Sequence, residues 1–307
     1  MSSKPSVLIV GITGVLGYKI ASAILDKEAM NVRALVRAGV QKKSQLDALV
    51  KRGVTLVEGD LFDLPSLHHA CDGVDALVSV VRGGRTETDE KEIVLTGQLN
   101  LIEAAKANDV QRFLPSDFSV DYFKLDFGDN YNLELRKQIA DALKASGIAH
   151  TFTFIGAFTE VLFSPFLKLF DFEAGTFSYW GDGDTLFDTT TMDDTAKYVA
   201  EAVVDSKMVN RPLKIAGDVL TMKQLHAVYQ EATGKKLVEK PLGSVEELKT
   251  WIETTKQKAA SHYEYLSEQY LYAMVSGKGK LDELDNDRYP HIQPTRVKQF
   301  LQQGGVQ

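Results

Sequence analysis

The chain has 307 residues, 44% of them hydrophobic and 25% charged, a balance that suits a globular protein with a main domain and a smaller second one. A formal net charge of -7, with no run of basic residues longer than two, argues against a nucleic-acid or anionic-membrane surface. The lone cysteine, Cys71, cannot form an internal disulfide and reads as a small buried hydrophobe, and no apolar run reaches the roughly 18 residues of a membrane span. The expected setting is therefore the reducing cytoplasm.

In chain order, apolar β-branched runs alternate with helical patterns. SVLIVG (6–11) precedes a helix over 17–27, NVRALVR (31–37) precedes 41–51, and VTLVEGD (54–60) precedes 65–71. DALVSVV (75–81) precedes 90–107, RFLPS (112–116) precedes 132–146, and HTFTFIG (150–156) closes the series. Runs this apolar suit strands covered on both faces, and the alternation predicts right-handed βαβ units. The expected class is α/β: a doubly wound parallel sheet with helices on both faces, plus a smaller mixed C-terminal domain. The boundary is expected at 155/156, with about 186–217 returning to the first domain. Beyond it, VLFSPFLKLFDF (161–172) is interrupted by Pro165, and GTFSYWGDGDTLFDTTTMDDTAKYVAEAVVD reads as strand, turn, strand and helix. A short strand PLKIAG follows, then a helix opened by Thr221 and closed by Gly234, then one or two Tyr-rich helices over 244–275.

Ligands of doubly wound sheets bind beyond the carboxyl ends of the strands, so the residues after each strand carry the functional reading. IVGITGVLG places Gly11, Gly14 and Gly17 between a strand and a helix. The first permits a tight turn, the second lets backbone approach a diphosphate, and the third lets the helix pack closely. The second strand ends in Arg37, followed by Lys42 and Lys43, where an NAD site would carry a carboxylate; a guanidinium there favours the 2′-phosphate of NADP. In GDLFD, Gly59, Asp60 and Leu61 either flank an adenine or form a turn in which Asp63 caps the next helix. Val80, Val81 and Arg82 approach the ribose position, ahead of a polar loop over 82–89.

The long connection LPSDFSVDYFKLDFGDNYN brings Pro115, Ser116, Asp117, Phe118 and Tyr122 toward the nicotinamide. No Y-x-x-x-K occurs, so reduction through the usual tyrosine acid of short-chain dehydrogenases is unsupported. The six histidines have no metal-ligand spacing, and no metal is expected.

With GITGVLG, Arg37, GDLFD, PSDFS and NLELRKQIADALKASGIAHTFTFIGAF in place, the chain resembles the NmrA-like, isoflavone reductase-like branch of atypical short-chain dehydrogenases, and within it the fungal aromatic-alcohol-reductase-like proteins. The resemblance implies the Rossmann form of the doubly wound sheet, and an NADP(H) cofactor with Gly11, Thr13, Gly14, Val15, Leu16 and Gly17 on the diphosphate and Arg37 on the 2′-phosphate. It also places Gly156, Ala157 and Phe158 by the nicotinamide and substrate, with the nicotinamide carbon held above Ser116 and the segment from Phe154 to Gly156. Asp117, Phe118 and Phe158 are the substrate candidates, and Phe163, Phe166, Phe170 and the tyrosines of 263–272 would suit a flat aromatic ligand, although such spacing more often marks plain core. Where catalytic members of the branch carry a lysine, this chain has Arg136, with Lys137 next. On the helix, Arg136 shares a column with Ile139, Ala140 and Leu143, whereas Lys137 lies nearer the solvent side. An arginine keeps its proton near neutral pH, so Arg136 would orient a carbonyl, and the proton would come from Tyr122, a water or Lys137.

The implied activity is NADPH-dependent reduction of a small aromatic or conjugated carbonyl substrate. The alternative is a regulator that binds NADP(H) without turnover.

Overall fold

The structure is a computed structural model that describes residues 4–40, 43–83, 88 and 91–305. Five parallel strands form its main sheet: β1 (Ser6–Val10), β2 (Asn31–Val36), β3 (Thr55–Glu58), β4 (Ala76–Ser79) and β5 (Arg112–Leu114), in the order β3-β2-β1-β4-β5. The most apolar run lies in the middle, where Val7, Leu8 and Ile9 of β1 are wholly buried, while β3 is an edge and exposes Thr55, Leu56 and Glu58. The chain builds outward from β1 to β3, then returns to place β4 on the other side of β1. That reversal makes a crevice at the carboxyl ends of β1 and β4.

Helix α1 (Val15–Asp26) buries Leu16, Ile20, Ala21 and Ile24, an i, i+4, i+5, i+8 stripe. Helices α2 (Lys43–Lys51) and α3 (Leu64–Cys71) follow β2 and β3. The expected helix over 90–107 is two pieces, a π-helical stretch (Lys91–Thr96) running into α4 (Gly97–Ala107), and α5 spans Tyr131–Ser146. The sixth expected strand is much reduced. Phe113 and His150 make one parallel bridge, Thr151 N–H donates to Phe113 O, and only Thr153–Phe154 forms a named strand, outside the five-stranded sheet.

The chain divides into two units, 1–117, 135–153 and 195–213 in the first, and 118–134, 154–194 and 214–307 in the second. Residues 118–134, read from sequence as part of the first domain, cluster with the second. Within the second unit lie two three-stranded sheets and a core of Leu162, Phe163, Phe170, Phe177, Tyr229, Ile252 and Tyr272, among others. Its helix Met222–Thr233 has a full capping box from Thr221 and Gln224 and ends at Gly234 with φ 71, as the Thr and Gly predicted. The strand Val238–Pro241 is wholly exposed and was not expected from its charged, proline-ended sequence.

Candidate active site

Each glycine of the loop has its own physical reason. Gly11 has φ +98, and a Cβ on it would lie 2.7 Å from Val80 O, because β4 runs alongside through the bond from Val80 N–H to Val10 O. A Cβ on Gly17 would overlap the Gly11 carbonyl and lie 2.9 Å from Ile12 Cα, so the third glycine seats α1 against its own entry turn. Gly14 differs. Its φ of -80 suits any residue, and among the described residues its Cβ position meets only Gly11 O, at an ordinary 3.4 Å. No described residue requires a glycine there.

What surrounds Gly14 is an open helix start. Gly14 is the N-cap of α1 with no side-chain cap, no acidic residue lies in the first turn, and both Gly14 and Val15 are exposed. First-turn N–H groups of a helix lack intrahelical acceptors and carry the positive end of its dipole. A cradle that a methyl group would fill, floored by such donors, fits a diphosphate.

Arg37 is exposed directly after β2. Asp60, after β3, spends Oδ1 on the Phe62 N–H at 2.9 Å, while Ser66 Oγ accepts from Asp60 N–H and donates to Asp63 O. The GDLFD loop is thus braced by Asp60 and Ser66; Asp63 stands at the N-cap of the helix begun at Leu64, as the turn alternative has it, but makes no side-chain cap bond. Half-buried Leu61 packs where a Gly97 Cβ would be, 3.1 Å from Leu61 Cδ1, and its carbonyl accepts from Asn100 Nδ2. Lys42 and residues 84–87 and 89 of the polar loop lie outside the described residues, as does the Lys43 side chain.

At the ends of β4 and β5, Val80 and Val81 are half-buried, and Pro115, Ser116, Asp117 and Phe118 are buried. Ser116 uses all three of its polar groups. Its Oγ–H donates to Val81 O at 2.8 Å, its N–H donates to Gln98 Oε1 at 3.2 Å, and its carbonyl accepts from Arg136 Nε at 2.9 Å. Arg136 is therefore tied to the loop that follows β5. Lys137 is half-buried rather than turned to solvent, and Gln138 takes the exposed position. Gln98 escaped the sequence reading, although a glutamine in the apolar stripe of Leu101, Ile102 and Ala105 was a signal that could have found it.

The remaining candidates lie in the second unit. Tyr122 is fully buried, 4.7 Å from the Phe123 ring and edge-on to Phe154 at 5.2 Å. Phe154 is fully buried and Phe158 half-buried. Gly156, at φ +68, is required by the protein itself, since a Cβ would overlap the backbone carbonyl of Asp188. Phe163, Phe170 and Tyr272, whose spacing left pocket and core open, are core residues: the Phe163 and Phe170 rings meet at 4.8 Å, tilted by 34°, and Phe170 also meets Phe177 and Tyr229.

Burial pushes the Cys71 thiol up to about 11, which leaves it inert as a nucleophile. Among the described residues, no group of three or more His, Cys, Asp or Glu is arranged to hold a metal ion, and no helix is long and apolar enough to cross a membrane.

Known proteins of similar sequence are reductases. Pinoresinol reductase 2 of Arabidopsis thaliana is 28% identical over 317 residues, which cover 97% of this chain and 96% of that one. An isoflavone reductase homolog of Nicotiana tabacum is 30% identical over 77% of each chain. The solved structure of AtPrR2 with NADP+ and (+)pinoresinol superposes with a TM-score of 0.83 at 25% identity, over 98% of this chain and 99% of that one. An isoflavone reductase crystal structure, at 22% identity, shares the fold with the same TM-score and coverage. Residues 3–301 match the NmrA-like family, and the chain belongs to it.

Proposed function

We propose that the protein is an NADPH-dependent reductase of a small aromatic substrate. The observation that carries this reading is Gly14, a glycine that no described residue requires, at an uncapped helix N-terminus. The family match and the NADP+ complex of a relative support the same cofactor. In this reading Gly11, Thr13, Gly14, Val15, Leu16 and Gly17 hold the diphosphate and Arg37 pairs with the 2′-phosphate, with Lys42 adding charge. Asp60 and Leu61 flank the adenine, Val80 and Val81 the ribose, and Pro115, Ser116, Phe154 and Gly156 the nicotinamide.

The bound cofactor supplies a hydride. The chain's share is to orient the acceptor, exclude water and place the proton. Arg136, fixed through Nε, presents a permanent positive charge that polarises the acceptor oxygen; it does not release a proton. Lys137 or a water supplies the proton, and Tyr122, a wholly buried phenol, is the weaker candidate. Asp117, Phe118 and Phe158 are assigned to the substrate side. The cytoplasm remains the proposed location, on the single buried cysteine.

The test is a titration of purified protein with NADPH, followed by a panel of conjugated aldehydes, aryl ketones, enones and aryl ethers. The reading expects NADPH oxidation with at least one class. Tight NADPH binding with no oxidation across the panel would make the protein a cofactor-binding regulator instead.

A further inference from the structure

We infer that Gln98 is a positioning residue for the reaction, one that fixes Ser116 and, through the Ser116 carbonyl, Arg136. The inference rests on the reductase reading above. The ladder between β4 and β5 ends at the Val78–Leu114 pair, so past that point no main-chain pairing registers the two strands. Beyond it, side chains take over. Ser116 Oγ bonds Val81 O, replacing one rung, and the Ser116 amide, which has lost its strand partner, finds Gln98 Oε1.

Gln98 is 1% exposed, one residue into α4, among Leu101, Ile102 and Ala105. A primary amide buried among aliphatic groups is costly unless both ends are satisfied. Here both are: Oε1 accepts from Ser116, and Nε2 donates to Val94 O at 3.3 Å, a carbonyl inside the π-helical stretch. The carboxamide therefore links the π-helical stretch to the Ser116 loop. Gln98 holds Ser116 through its N–H on one side of the residue, and on the other side the Ser116 carbonyl accepts from Arg136 Nε at 2.9 Å. Removing the carboxamide leaves Ser116 N–H buried and unpaired, and the loop relaxes to satisfy it, carrying Arg136 along.

Two variants test this. Gln98→Met keeps the volume and removes both bonds. Gln98→Glu keeps the acceptor for Ser116 N–H but sets a carboxylate oxygen against Val94 O. Protonation restores a donor there, so the acid form of Gln98→Glu mimics glutamine. Burial raises the carboxyl's titration. Gln98→Met is expected to lose about tenfold to a hundredfold in kcat at all pH values, with KM for NADPH changed by less than about threefold. Gln98→Glu is expected to show the same loss at high pH and recovery as pH falls, a limb absent from the parent profile. The fluorescence of bound NADPH, recorded alongside circular dichroism, follows the nicotinamide surroundings without turnover and is expected to change with pH in Gln98→Glu alone. Folded variants with kcat within about twofold of the parent and unaltered NADPH emission would overturn the inference. A parent that binds NADPH but oxidises none would sink the reductase reading, and the emission of the variants would still decide whether Gln98 sets the nicotinamide end. A parent that does not bind NADPH overturns both.

Discussion

Alanine at Gly14 and alanine at Gly17 should fail in opposite ways. At Gly17 the new methyl overlaps the Gly11 carbonyl and lies 2.8 Å from Gly11 C, and backbone cannot step aside as a side chain tip can. Helix α1 would have to lift from its turn, an overpacking cost of about 3 kcal/mol. At roughly 2–4 °C per kcal/mol for a chain of this size class, the melting temperature falls by about 6–12 °C. At Gly14 the methyl meets only Gly11 O at 3.4 Å, on backbone that alanine adopts freely. A poorer N-cap and a stiffer unfolded chain act in opposite directions, each worth less than about 1 kcal/mol, so stability barely moves. The methyl occupies the diphosphate cradle instead, and NADPH affinity falls about tenfold to a hundredfold, or about 1.4–2.8 kcal/mol. Thermal scans without cofactor and fluorescence titrations with NADPH read the two effects separately. Gly14→Ala that binds NADPH as the parent does, or that melts as early as Gly17→Ala, would refute the assignment of these glycines.

Three further outcomes follow from the same geometry. Arg37→Asp replaces a 2′-phosphate partner with a like charge, and NADPH affinity should fall by about tenfold or more relative to NADH, measured by parallel titrations. Arg112 is 7% exposed and donates to Thr151 Oγ1 at 2.6 Å and Ala202 O at 3.2 Å; Arg112→Ala should cost about 2 kcal/mol in denaturant unfolding, with cofactor affinity unchanged where the protein stays folded. Burial first, with Lys144 and Arg112 adding repulsion, holds His150 below the usual histidine range. The folded chain then takes up that proton less readily than the unfolded one, so stability should drop as pH falls through about 6.5, and His150→Gln should flatten that part of the melting profile.

Much of the cofactor half was legible because its signals are local. A β-branched run, three glycines and an amphipathic helix are neighbours in sequence, and Arg37 follows its strand directly. The functions of the glycines were only partly legible, since what forces Gly11 and Gly156 is the approach of Val80 and Asp188, residues distant in the chain. The same limit hid the Ser66 brace of the GDLFD loop and the engagement of Ser116 by Gln98, contacts made by tertiary packing. The spacing of Phe163, Phe170 and Tyr272 suited either a pocket or a core, and their packing with Phe177 and Tyr229 decides for core at those positions. Residues 118–134 follow β5 in sequence yet cluster with the second unit, because Asp121 N–H donates to Gly279 O and Tyr131 N–H to Gln269 Oε1. Strand Val238–Pro241 exists through pairing with Thr176–Tyr179, information its own residues do not hold.

The most direct test of the account is transfer of label from NADPH deuterated at the reactive nicotinamide carbon to an aromatic acceptor, read by mass spectrometry of the product. The account predicts one deuterium in the reduced product per NADPH consumed, with markedly less product from Gly14→Ala. Unlabelled product, or label transfer undiminished in Gly14→Ala at subsaturating cofactor, would contradict it.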